Sequence, residues 1–114
     1  MSEHLEQIDQ FVEAVRNNKE CFVLTSEQGL LITESYFDSN SDVLPLWHSL
    51  DEAQTQAKKH WQTFQPVDIE LDELLELLQE LSEEDVLVGV DLTDEQIAVE
   101  LTANKLLNEL NTPL

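Results

Sequence analysis

Residues 21–47 read as three short extended runs separated by turn chemistry, and a chain that contains such a stretch is committed to an antiparallel sheet. The first run is Cys21-Phe22-Val23-Leu24-Thr25. Ser26-Glu27-Gln28-Gly29 follows as a turn, then a second run over 30–36, a polar loop, and a third run over 43–46 that ends at Trp47. β-Branched and aromatic residues fill the runs, and Gly, Ser, Asn and Asp fill the gaps.

The flanking segments supply helices for that sheet. Leu5, Ile8, Phe11, Val12 and Val15 recur at helical spacing, so a first helix is expected from a Ser2 cap to about Asn17. Ser49-Leu50-Asp51-Glu52 has the form of a capping box, with the Ser49 hydroxyl and the Glu52 side chain satisfying each other's backbone N–H groups. The helix it opens is expected to run to about Thr63 and to bury Leu50, Ala53, Ala57, Trp61 and Phe64. Pro66 stops it. Val67, Ile69 and Leu71 alternate with Asp68 and Glu70 as a short strand, and Leu74, Leu75, Leu78 and Leu81 form the apolar stripe of an acidic third helix.

In the last third, Val86-Leu87-Val88-Gly89-Val90 is apolar on both faces, which predicts a strand inside the sheet, with Gly89 leaving room for a neighbouring side chain. Ile97, Val99 and Leu101 alternate with Ala98 and Glu100 and are expected to pair with it as a hairpin, after which Thr102 caps a final helix carrying Leu106, Leu107 and Leu110. The order is α-β-β-β-α-β-α-β-β-α. This predicts a single α+β domain over the 114 residues, with a mainly antiparallel sheet of about five to six strands and about four helices packed on it.

The order and spacing of these motifs resemble a bacterial family, domain-of-unknown-function family 2750. The resemblance rests on Leu44-Pro45-Leu46-Trp47 closing the third strand, the alanine-bearing helix after it, Ile69-Glu70-Leu71 leading into a Leu-rich helix, and Val88-Gly89-Val90 in a late strand. Phe22 and His48 depart from the family pattern, which more often has tryptophan and proline there. The resemblance implies a small α+β fold and carries no activity with it.

Charge narrows the partners. Twenty-five acidic residues against five basic ones give a formal charge of −20, a field that repels nucleic acid and anionic lipid and attracts basic surfaces. Nine of the acids fall within residues 67–85, among them Asp72, Glu73, Glu76, Glu80, Glu83 and Glu84, and that segment contains no lysine or arginine. The lone Cys21 has no internal disulfide partner, no signal segment opens the chain, and no apolar run is long enough to span a bilayer. A cytoplasmic protein is expected.

No catalytic constellation stands out, and no cofactor or metal is expected. Asp38-Ser39-Asn40-Ser41-Asp42 has oxygen ligands at alternate positions of a calcium loop, but Val43 replaces the turn glycine and Ser49 the bidentate glutamate. Cys21 in acidic surroundings is a poor nucleophile, and His4, His48 and His60 lack zinc spacing. Trp47, near Tyr36 and Phe37 and followed by His48, has two readings: core packing, or an aromatic patch that binds a peptide or small molecule. The expectation is therefore a non-enzymatic interaction module whose acidic helix meets a basic protein, with a ligand-binding domain at the aromatic junction as the alternative and mimicry of nucleic acid as a third. Because Leu77 lies off the third helix's stripe, that helix is either sandwiched or self-associating, and a monomer or weak homodimer is expected.

Overall fold

The computed structural model describes residues 3–35, 40–93 and 99–111, and for residues 3–6 the backbone alone. Among the described residues, four helices and seven strands follow in the order α1 (Glu3–Asn18), β1 (Glu20–Ser26), β2 (Gly29–Leu30), β3 (Thr33–Glu34), β4 (Asp42–Leu46), α2 (Leu50–His60), β5 (Gln65–Glu70), α3 (Leu71–Glu83), β6 (Leu87–Val90), β7 (Val99–Thr102) and α4 (Ala103–Asn111). The fold is α+β, as expected, and antiparallel pairs predominate.

The strands divide between two ladders, β2-β1-β5 and β3-β4-β6-β7. The second expected strand, 30–36, is where they divide. Leu30 pairs with Thr25 of β1, Leu31 still donates to the Leu24 carbonyl at 2.8 Å, and Thr33 then pairs with Val43 of β4. One extended segment thus leaves β1 and joins β4. Its continuation through Tyr36 lies outside the described residues, as do Ser2, the start of the calcium-like loop at Asp38 and Ser39, and Ile97. Beyond that wedge β1 and β4 meet directly, through a bridge between Phe22 and Trp47.

Within the second ladder β4 and β6 run parallel, with Leu46 beside Val90, and β6 and β7 are antiparallel. β6 is therefore interior, as its two-sided apolar pattern implies. Gly89 sits between Pro45 and Glu100 in register. The Glu100 carboxylate of β7 accepts from the hydroxyl of Ser35, just past β3.

Two cores lie on opposite sides of the strands. Cys21 and Val23 of β1, Leu44 and Leu46 of β4, and Val88 and Val90 of β6 face α1, α3 and α4. Leu24, Leu31 and Trp47 face α2, which contributes Ala53 and Ala57, with Phe22, Trp61, Phe64 and Leu92 packed around them. The alternation along β1 is the period of a strand buried on both faces.

The helix limits shift where local chemistry decides. α2 ends at His60, because Trp61, whose N–H still donates to the Ala57 carbonyl at 2.9 Å, leaves helical geometry with φ −140° and ψ 67° as the chain turns towards β5. Leu50, expected in the buried stripe, is 42% exposed, and Gln56 is buried instead. Pro66 does more than end a helix: it lies within β5 opposite Leu24, tolerated because β5 is an edge strand. α3 ends at Glu83, and Asp85 just beyond it takes a left-handed φ of 60°, with the Val86 N–H donating to the Leu81 carbonyl at 3.1 Å. Thr102 caps α4 by accepting from the Lys105 N–H at 3.1 Å. Leu77 is half-buried against the main core, so α3 is held between the sheet and α4.

Candidate functional site

β4 and β6 are the parallel neighbours of the fold, and ligands of α/β sheets gather beyond the carboxyl ends of such strands. Here that edge carries a cluster of three titratable side chains. His48 lies two residues past β4, Asp91 directly past β6, and Glu52 in the first turn of α2.

The backbone delivers Asp91 to this place under constraint. Its φ is 56°, a left-handed conformation uncommon for a residue with a side chain, and unlike Lys19 and Asp85 it does not follow a helix. Its N–H donates to the Leu46 carbonyl at 2.9 Å, and its carboxylate accepts from the His48 backbone N–H at 3.1 Å. The buried carboxylate also meets His48 Nδ1 at 2.7 Å. Next along the chain, the Leu92 carbonyl accepts from Trp47 Nε1 at 2.6 Å. Residues 47–48 and 91–92 are thereby cross-linked through backbone and side chains together.

Glu52 completes the cluster in an unexpected way. Ser49 does cap α2, accepting from the Glu52 N–H at 3.4 Å, but the return half of the capping box is missing among the described residues. The Glu52 side chain turns towards His48 and Asp91 instead, where its Oε2 is closed off from solvent and takes no hydrogen bond among the described residues. Burial, and then the Asp91 carboxylate, push the Glu52 pKa upward against the opposing pull of His48. The hydrogen bond to Asp91 raises the His48 pKa against partial burial. One ligand atom each from His48, Glu52 and Asp91 lie within 4.8 Å of one another. Such a set can exchange protons, hold a cation, or orient an imidazole through its carboxylate partner.

A nucleophile is not part of it. Cys21 approaches Asp91 from β1, but burial, then the Asp91 and Glu20 carboxylates, push its thiol up to about 12.

Of the aromatic residues read from the sequence, the described residues include Trp47 but not Tyr36 or Phe37. Trp47 is 0% exposed, packed edge-on to Trp61 with centroids 6.5 Å apart, so its ring is core. Three clefts of about 580, 400 and 420 Å³ open beside Lys19, Thr102 and Phe64 respectively, none of these three lined by Trp47 or His48. Of the two expected binding residues that are described, Trp47 and His48, the latter joins the polar cluster. No local pattern marks Glu52 and Asp91 as partners of His48, because acids are abundant in this chain and Asp91 is remote in sequence. The one available signal was Glu52 four residues after His48, and it looked like capping chemistry.

The acidic residues of α3 stand apart from this cluster. Asp72, Glu73, Glu76, Glu80, Glu83 and Glu84 are all exposed, and none is ion-paired among the described residues. At about 100° per residue they fall within roughly 120° of arc, with the six leucines of α3 on the rest. No helix among the described residues is long and apolar enough to cross a membrane. No curated protein and no solved structure matches the chain. The family model described as protein of unknown function (DUF2750) matches residues 8–110, nearly the whole length, and the chain belongs to that family.

Proposed function

We propose that the protein is a non-enzymatic interaction module of the bacterial cytoplasm, and that α3 docks on a basic protein surface. The observation that supports this reading is the ridge of six exposed, unpaired carboxylates, Asp72, Glu73, Glu76, Glu80, Glu83 and Glu84. A ridge of one sign steers an oppositely charged partner and repels nucleic acid and anionic lipid. Its leucine side is anchored in the main core, so the charged side is held in a fixed orientation.

The test is affinity capture at low salt with the protein and with a Glu73→Gln/Glu76→Gln/Glu80→Gln variant. A partner retained by the first, lost by the second, and released as the Debye length shortens to about 8–10 Å supports the reading. Capture that is insensitive to salt and to the three substitutions refutes it. The alternative, a peptide or small-molecule site at Tyr36, Phe37 and Trp47, has less support, because the Trp47 ring is wholly buried.

A further inference from the structure

The geometry points to His48, Glu52 and Asp91 as a three-ligand site for a divalent first-row transition metal, with zinc the best match. The donor set is one imidazole nitrogen and two carboxylate oxygens. Imidazole suits zinc, copper, iron and nickel, whereas calcium and magnesium prefer oxygen alone, and zinc takes mixed histidine and carboxylate ligands in three-ligand sites with no d-electron geometry to satisfy.

Four observations converge on a cation. The three ligand atoms come from different places in the chain yet sit within 4.8 Å of one another. Atoms bound tetrahedrally to one ion at 2.0–2.2 Å lie about 3.3–3.6 Å apart, so side-chain adjustments on the order of 1 Å close the set. Asp91 is buried, and its strained backbone is fixed to Leu46 and His48, which pre-organises one ligand. Glu52 Oε2 is shut off from water and lacks a hydrogen bond among the described residues, and a buried carboxylate oxygen in that condition is costly unless something positive meets it. Finally, two carboxylates share the site with a single histidine, leaving negative charge that a divalent ion neutralises. His48 and Glu52 flank the start of α2 and are both half-buried, so the site lies at the rim of the fold.

The diffuse attraction of a chain of charge −20 for any cation must be separated from a built site. Chelator-stripped protein is titrated with Zn²⁺ against a chromophoric competitor at moderate salt, alongside His48→Asn, Glu52→Gln and the α3 variant Glu73→Gln/Glu76→Gln, with circular dichroism confirming that each is folded. The expected result is one Zn²⁺ per chain, weakened roughly tenfold or more by His48→Asn and by Glu52→Gln. The α3 variant should retain it, and Mg²⁺ and Ca²⁺ should fail to compete at equal concentration. A Zn²⁺-dependent shift of the His48 imidazole resonances in the parent protein supplies a second readout. Equal binding by parent, His48→Asn and Glu52→Gln overturns the proposal, as does loss of binding in the α3 variant or an unmoved His48 resonance.

Discussion

Phe22 and Trp47 exchange backbone hydrogen bonds of 2.8 and 3.0 Å, and this bridge joins β1 of one ladder to the end of β4 in the other. Trp47 also pins the chain after β6 through its indole N–H on the Leu92 carbonyl. One residue therefore holds together the two ladders, the α2-side core and the edge that carries His48 and Asp91.

Truncating that residue should be among the costliest single changes in the protein. Trp47→Ala removes a wholly buried ring and orphans the Leu92 carbonyl, for a loss of about 3–5 kcal/mol, while Trp47→Phe should cost less. Urea unfolding followed by far-UV circular dichroism reads both. An alanine variant with the parent's midpoint would show that the indole does not hold this core together.

Stability of the chelator-stripped protein should fall as pH rises across neutrality. The His48 pKa is raised above 6.5 in the fold, so its contribution is complete below pH 6.5 and is lost as pH climbs through the folded value. Glu52 is raised above 4.5, so the fold holds its proton more tightly than the unfolded chain does, and ionising Glu52 subtracts stability in the same direction. General charge repulsion adds to the slope. The comparison that isolates the site is therefore parent minus His48→Gln/Glu52→Gln, measured by urea unfolding from about pH 5 to about pH 8.5. Identical slopes would mean that the two groups do not titrate as their surroundings imply.

Cys21 should resist thiol reagents in the native protein. The thiolate is the reactive form, and with the thiol pushed up to about 12 in a buried strand almost none is present at neutral pH. Labelling by a disulfide reagent is expected to proceed only as fast as the protein unfolds, then to reach one equivalent in urea. Rapid labelling without denaturant would place the thiol at the surface.

α3 should not drive tight self-association. Leu75 and Leu77 are half-buried against the main core, and a twofold contact on the remaining face would oppose two acidic ridges. Sedimentation equilibrium at low salt and neutral pH is expected to give a monomer, with at most weak dimerisation as salt rises. A tight dimer at both ionic strengths would contradict this account of the helix.

Much of the architecture was present in the sequence because burial periodicity is local. Leu74, Leu78 and Leu81 must share a side of a helix, Val88 and Val90 a side of a strand, and Thr102 must cap whatever helix follows it. The acidic ridge was equally legible, since exposure of carboxylates on the side opposite buried leucines follows from helical geometry. What tertiary structure alone decided is where distant segments meet. Nothing local to residues 30–36 says that Leu30 pairs with β1 and Thr33 with β4, because either partner satisfies the same backbone groups. Nor could spacing place Asp91 beside His48, 43 residues earlier: that contact exists because β4 and β6 lie parallel and end together, and a parallel pair is closed by a long crossover rather than by a turn. The same encounter draws Glu52 away from the capping box its sequence spells, leaving at one rim of the fold the three groups that sequence alone kept apart.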